Sequence, residues 1–498
     1  MKLKVKDIDI SSGGPLIAIL NHKDAAMLDL HVMDRAKIKK GRKLETVVID
    51  IARNGRIISE GKIGLFEEVL NHLKLKNNDE VEITIARKPL SIEYIKKKLD
   101  GEKLSKAEID QIVWDIVNNK LSAVELTYFV AACYTKAMSI EETILLTKAM
   151  VRHGEILKLN KHPIIDKHSI GGVPGNRTTM VIVPIIAAAG YFMPKTSSRS
   201  ITSPAGTADT MEVLARVAFP IKKMKEIVLK TGGCIVWGGA LNLAPADDKI
   251  IAVERPLEID AESQLLASIM AKKYSVSSTH ILIDIPVGKD AKVKGMFGAL
   301  KLKKEFEKIG KRLKKRIKVM ITNGSSPIGN GIGPALEARD VLWLLKRDPR
   351  RPVDLEKKCL AICSNIFGMV GVKGGRKKAF EILESGKAYQ KMVEIIKAQG
   401  GKEIAPENLK IGRHSYNFLS HEGGKVIAID NIPISRIARI AGAPNDKGAG
   451  IYLHRRVGDA VKKGEDLFTI YAESRRELEH AKDVAKSCKA FIIRKNGV

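Results

Sequence analysis

The residues of this chain that could do chemistry gather in three short segments. The densest is Asp166-Lys-His-Ser-Ile-Gly-Gly-Val-Pro-Gly-Asn-Arg-Thr178. It follows the apolar pair Ile164–Ile165 and precedes an apolar helix candidate, which predicts a strand, a glycine-rich turn and a helix N-terminus. Such a turn is an anion cradle. Glycines let the backbone approach a phosphate, and free N–H groups with the helix dipole stabilise its charge. Lys167 adds a cation, and Ser169 and Thr178 add hydroxyl donors. The spacing is neither G-x-G-x-x-G nor G-x-x-x-x-G-K-[ST], which excludes the Rossmann and P-loop readings. The second segment, Lys195 to Glu212, places eight hydroxyl residues and Arg199 between Thr196 and Thr210. Directional hydroxyl and guanidinium donors suit the oxygens of sugars and phosphates. The third, Glu254–Asp260 leading into Ser263–Lys273, sets Ser268 and Lys272 four residues apart on one helical face. Asp260 lies just before that helix, where it reads either as a carboxylate at the helix start or as a functional acid.

The elements that must position these segments change character along the chain. Thr46–Ile51 and Glu80–Ala86 alternate in period two, with Gly13–Gly14 and Asn54–Gly55 as turn signals and a short helical segment at Gly64–Leu73. This predicts an N-terminal β-barrel-like domain over residues 1–86. Next, Ser105 with Glu108, Ser122 with Glu125 and Ser139 with Glu142 form three capping boxes in succession. They predict a helical domain over 87–160, with 247–275 packed onto it. Apolar runs at Val181–Ala189, Cys234–Val236 and Ile281–Ile285, separated by glycine-rich loops and helices, favour an α/β-sheet domain. That phosphate-binding domain is placed at 161–405 without 247–275. Residues 289–318 read as a basic helical stretch. From about Ile411 the pattern is β-rich, and Gly450–Gly464 reads as strand, turn and strand before Leu467–Tyr471, giving a C-terminal α+β domain over 406–498. The expected fold class is multidomain α/β.

Composition sets outer bounds. At about 100–200 residues per domain, 498 residues suggest three to five domains. Lys and Arg number 86 against 57 Asp and Glu, a net charge of +29, which points to an anionic partner without choosing among nucleic acid, membrane surface and phosphorylated substrate. With 44% hydrophobic and 29% charged residues the chain is globular. Residues 1–10 carry no secretory pattern, and the longest nearly apolar run, Met180–Met193, is too short to span a membrane. Five scattered cysteines fit a reducing cytoplasm, and Cys359 with Cys363 lacks the second pair a zinc site needs.

Taken together, the segments resemble the thymidine/pyrimidine-nucleoside phosphorylase family. Its K-H-S-x-G-G motif is similar to Lys167–Gly172. Its serine–arginine signature ending in G-T-x-D-x-x-E resembles Ser197 through Glu212, and its A-S-I-x-x-K-K helix resembles Ala267 through Lys273. The C-terminal H-x-x-V-G-D-x-V-x-x-G-E resembles His454 to Glu465. The likeness covers about 90–498. Three departures stand out: the added β unit; the family's arginine before the A-S-I helix, which falls on Glu254 or Arg255; and Lys289 and Lys292 in place of small or apolar residues in V-G-S-G-A-F-M. Extra cations and hydroxyls suggest a second anion at a nucleoside site, such as a 5′-phosphate. This resembles the archaeal, AMP-cleaving branch of the family.

The resemblance implies phosphorolysis of AMP, with CMP and UMP as further substrates, in nucleotide catabolism. Inorganic phosphate would be a co-substrate, with no cofactor and no metal. By the same resemblance Lys167, Ser169, Thr178, Ser197 and Thr207 bind phosphate. Gly172, Ser198, Arg199, Ser200, Ile201, Thr202, Ser203, Thr207, Ser268 and Lys292 bind nucleotide. Asp260 is the implied proton donor, His168 is its rival, and Lys272 is a further candidate. The family implies a homodimer or larger homo-oligomer without a membrane partner. Three other readings compete with it: a thymidine or uridine phosphorylase, a phosphoribosyltransferase of the anthranilate type, and a nucleic-acid-binding protein. The last rests on thirteen Lys/Arg against three Asp/Glu between Lys289 and Lys318, but the chain carries no nucleic-acid-binding signature and only 5% aromatic residues.

Overall fold

The computed structural model describes the chain except residues 14–15, 201–202, 258, 260 and 496–498 and the side chains of Arg255 and Leu257. It divides into two compact units. One comprises Met1–His153 with Ala244–Ser268, the other Gly154–Leu243 with Ile269–Val498.

In the first unit the strands Lys2–Asp7, Ile17–Asn21, Arg35–Lys40, Lys43–Ala52, Lys62–Leu65 and Glu80–Ile85 close into a barrel. Period-two patterning does this. Leu3, Val5, Ala36, Ile38, Val81 and Ile83 point inward, while the intervening lysines and acids stay in water. The helix expected over Gly64–Leu73 is shorter, Glu67–Leu73, because Gly64 is a strand residue paired with both Lys6 and Ile19. After the barrel, helices Ser91–Leu99, Lys106–Val117, Ala123–Thr135 and Ile140–Arg152 pack together, and the last three start at the three expected capping boxes. Lys98 and Glu142 form a buried ion pair at 3.1 Å, and Glu142 also accepts the Leu104 N–H at 2.9 Å. Helix Pro245–Leu257 rejoins this unit, where Lys249 donates to the Ile116 and Val117 carbonyls at 2.9 and 2.7 Å.

The second unit is built on parallel strands. Ile165–Ser169, His280–Val287 and Arg316–Asn323 form one sheet with His280–Val287 in the middle. Met193–Ser197 and Gly233–Trp237 form a parallel pair, joined to that sheet by a bridge from Ile164 to Phe192. The apolar run Val181–Ala189 is a helix, Thr178–Ala188, buried on all sides. A continuous apolar run reads alike for a buried helix and a buried strand, so periodicity could not separate them. Helices Pro334–Leu345, Val353–Met369, Gly375–Glu384 and Lys387–Ala398 complete this core. The basic stretch 289–318 is only partly helical, over Met296–Arg312; the chain turns at Lys314 and enters the Arg316–Asn323 strand. The C-terminal part holds a four-stranded sheet (Gly331–Ile332, Gly450–Leu453, Asp466–Ala472, His414–Leu419) and a three-stranded one (Ala460–Val461, Gly424–Ile429, Phe491–Arg494), with helices Asn431–Ile440 and Arg475–Ser487. Strand and helix layers therefore give the expected multidomain α/β class. Among the described residues no helix is long and apolar enough to cross a membrane.

Candidate active site

Ser169 and Ser197 end two parallel strands, at the carboxyl edge where open α/β sheets bind ligands. From Ser169 the chain makes the glycine-rich turn and enters the Thr178–Ala188 helix. Gly172 has φ +87°, and a Cβ there would lie 2.6 Å from the Lys292 backbone nitrogen. Only glycine therefore lets the turn and the 287–293 loop meet, and that meeting brings the Lys292 backbone to the cradle. A Cβ at Gly175 would lie 2.1 Å from the Ile328 carbonyl oxygen.

Lys167 is 1% exposed. Its Nζ donates to Thr178 Oγ1 at 2.9 Å and lies 3.9 Å from Asp284 Oδ2. Burial pulls its pKa down to about 8, with Asp284 opposing and Lys358 and Arg177 adding to the fall. Ser169 Oγ donates to Asp284 Oδ2 at 3.1 Å and accepts from Asn176 Nδ2 at 3.4 Å. Asp284 also faces Lys358 Nζ at 3.1 Å and accepts from Thr322 Oγ1 at 2.6 Å. Burial raises the Asp284 carboxyl, but Lys167 and Lys358 outweigh it and hold the pKa below the usual range. Ser197 Oγ is buried and has no hydrogen-bond partner among the described residues.

Arg177 ties the second segment to this turn. It donates to Thr207 Oγ1 at 3.0 Å and to the Ala205 carbonyl at 2.6 Å, and it pairs with the buried Glu337. Burial raises the Glu337 carboxyl against the opposing pull of Arg177. Arg199 is held by Glu212 at 2.5 Å and Asp209 at 3.1 Å and lies over the Trp237 ring. Asp209 accepts the Ser200 and Gly206 N–H groups at 2.7 and 2.9 Å, and Ser203 Oγ donates to the Ala205 carbonyl at 3.0 Å. Several of the second segment's polar groups thus shape their own loop, with Ser198 accepting the Ala208 N–H at 3.3 Å. His168 is half-buried. Burial, then Lys273, Lys195, Lys167 and Lys272, push its pKa well below the ordinary value.

The structure therefore brings Lys167, Ser169 and Thr178 together, joins Thr207 to them through Arg177, and sets Gly172 against Lys292. Ser268 closes the first unit, and Lys272 follows it in the second. Asp260, Ile201 and Thr202 lie outside the described residues. Sequence reading missed Asp284, Lys358, Arg177 and Glu337. Asp284 had a signal: it is the lone charge in an otherwise apolar strand, Ile281–Ile285, of a sheet that buries both faces. Among the described residues no group of three or more His, Cys, Asp or Glu is arranged to hold a metal ion.

Residues 92–154 match a glycosyl transferase family helical bundle domain, 161–389 the α/β domain of that family, and 425–491 a pyrimidine nucleoside phosphorylase C-terminal domain. Over 497 residues the chain is 48% identical to an AMP phosphorylase of Pyrococcus furiosus, covering 99% of this chain and 98% of the relative. It belongs to the AMP phosphorylase family. Identity to the AMP phosphorylase of Thermococcus kodakarensis is 46% over 99% of this chain and 98% of that one. For AMP phosphorylase 1 of Archaeoglobus fulgidus it is 45% over 96% and 95%. The family resemblance read from the four motifs is thereby confirmed, and with it a pentosyltransferase enzyme. Anthranilate phosphoribosyltransferase from Thermus thermophilus shares the fold, with TM-score 0.52 and 18% identity over 62% of this chain and 99% of that one.

Proposed function

We propose that this enzyme cleaves nucleoside 5′-monophosphates by phosphorolysis, AMP and phosphate giving adenine and ribose 1,5-bisphosphate, with CMP and UMP as further substrates. The observation that carries the proposal is the buried Lys167, converging with Ser169 and Thr178 at the strand edge, with the buried Ser197 hydroxyl, unpartnered among the described residues, at the end of the Met193–Ser197 strand. These donors suit a tetrahedral dianion. Holding phosphate there turns a bimolecular encounter into a positioned attack, worth up to about 7–11 kcal/mol in favourable cases. A phosphate oxygen forms the new bond to C1′ as the bond to the base breaks, and the base leaves with the electron pair and takes up a proton. In this reading Asp260 supplies the proton from its protonated carboxyl. The depressed pKa of His168 supports that choice, since a neutral imidazole near pH 7 is a poor acid. Gly172, Ser198, Arg199, Ser200, Ile201, Thr202, Ser203, Thr207 and Ser268 form the nucleotide site, with Lys292 reading the 5′-phosphate and Lys272 alongside. No cofactor is proposed beyond phosphate as co-substrate.

The proposed division is 1–86, 87–160, 161–405 and 406–498, with 247–275 on the helical part. The proposed assembly is a homodimer or larger homo-oligomer in the cytoplasm. The test is to incubate the purified protein with phosphate and each nucleotide or nucleoside and to detect free base. Release from AMP and not from adenosine is expected. Release from no nucleoside monophosphate would sink the reading.

A further inference from the structure

Two buried carboxylates, Asp166 on the Ile165–Ser169 strand and Asp284 on the strand paired with it, each face two lysines. Asp284 lies 3.9 Å from Lys167 Nζ and 3.1 Å from Lys358 Nζ. Asp166 lies 3.8 Å from Lys195 Nζ and 2.9 Å from Lys273 Nζ. Strand alternation sets Asp166 and His168 on the face opposite Lys167 and Ser169. The Asp284 group belongs to the cradle already described. The Asp166 group has no role in that account.

It is deeply buried: Asp166 is 0%, Lys273 2% and Lys195 5% exposed. Its other contacts are neutral. Asp166 accepts the Lys167 N–H at 2.7 Å and faces Ser278 Oγ at 3.5 Å, and Lys195 Nζ donates to the Thr196 carbonyl. The Cys234 thiol, on the strand paired with that of Lys195, is pushed up to about 12 by burial and supplies no charge. On the strand of Asp166, Lys167 and His168 add no negative charge either. Among the described residues one carboxylate therefore answers two ammonium groups. An unmatched buried charge is costly, and a protein relieves it by losing a proton or by gaining an anion nearby.

We propose that Lys195 is a positioning residue for the phosphorolytic site: the Asp166–Lys195–Lys273 cluster carries an unmatched positive charge that the anionic substrate answers, so that binding phosphate at the adjoining Lys167 turn draws a proton onto Lys195. This rests on the function proposed above. Asp166 and Lys167 are consecutive, and the Asp166 carboxylate holds the Lys167 N–H, so a change of charge at one is felt at the other. Burial first, and Lys273 next, lower the Lys195 pKa to about 7, which leaves its protonation open to a neighbouring dianion near neutral pH. In the bound state Lys195, two residues before Ser197 on the Met193–Ser197 strand, then adds a positive charge beside the Lys167 turn, which favours an attacking dianion.

The test is calorimetry of inorganic phosphate binding to the full chain, from pH 6 to 9, in buffers of different ionisation heat. Phosphate's own ionisation is subtracted, and base release from AMP is assayed on the same samples. The wild type is expected to take up as much as about half a proton at pH 7 and more toward pH 8, with affinity falling toward about tenfold per pH unit above that. Lys195→Arg should abolish the uptake near pH 7 and keep the affinity. Lys195→Met should abolish the uptake and weaken binding about tenfold at pH 6.5. Unchanged uptake in both folded variants would overturn the inference while leaving phosphorolysis intact, whereas loss of base release in the wild type strikes the functional reading itself. Should neither variant fold, the wild type decides alone: uptake under about a quarter of a proton at every pH refutes the inference.

Discussion

Gly172→Ala should damage catalysis far more than alanine at its neighbour Gly171, which provides the control. Both residues have positive φ, +87° and +96°, so alanine at either carries a left-handed penalty of about 1–2 kcal/mol. Their surroundings differ. A Cβ at Gly171 meets nothing within 4 Å, while one at Gly172 would lie 2.6 Å from Lys292 N and 3.0 Å from Ala291 Cα. Those are backbone atoms and cannot swing aside as a side chain would. The 287–293 loop must move, adding about 1–3 kcal/mol of strain. A displacement of about 1 Å between substrate-positioning groups costs on the order of 10²-fold in rate. We therefore expect Gly172→Ala to lose about 10²-fold in kcat/KM for AMP and Gly171→Ala to lose less than about tenfold. Steady-state kinetics beside thermal unfolding of both variants reads this. Equal kcat/KM in the two variants would refute the claim that Gly172 sets the approach of Lys292 to the turn.

Three further outcomes are expected. Arg177→Met strands the buried Glu337 and should cost about 3–5 kcal/mol in unfolding free energy, much of it recovered in the Arg177→Met/Glu337→Leu double variant; denaturant titration reads both. Lys292→Ala should weaken AMP more than adenosine in competition binding, and equal weakening would remove Lys292 from the 5′-phosphate. For Glu142, burial raises the carboxyl, but the Leu104 and Ser139 N–H groups and Lys98 bring it below its usual value. A depressed carboxyl contributes stability above its unfolded pKa and loses it as pH falls through the folded one. The stability gap between wild type and Glu142→Gln should therefore narrow below about pH 4.5 in acid-dependent unfolding.

Legibility in the sequence followed the range of the interactions. The three capping boxes and the barrel alternation are local patterns, written within a few residues, and both reappear in the structure. The extent of the Thr178–Ala188 helix was ambiguous because a segment buried all round has no periodicity to read. At the site, Lys167, Ser169 and Thr178 were legible since one turn holds them. Asp284, Lys358, Glu337 and Lys195 join from distant positions through parallel pairing and helix packing, which no spacing rule encodes. Most of the +29 charge remains without a functional assignment. The run from Lys289 to Lys318 in particular is shared between a loop, a helix and a strand.

The central claim is that inorganic phosphate, held by the Lys167 turn, is the nucleophile. Phosphate carrying oxygen-18 in all four positions, incubated with AMP and the purified enzyme and followed by phosphorus-31 NMR, tests it most directly. The account predicts a new sugar phosphoester at C1 that retains the full label, formed in step with free adenine. Ribose 5-phosphate and adenine, with the label left in inorganic phosphate, would contradict it.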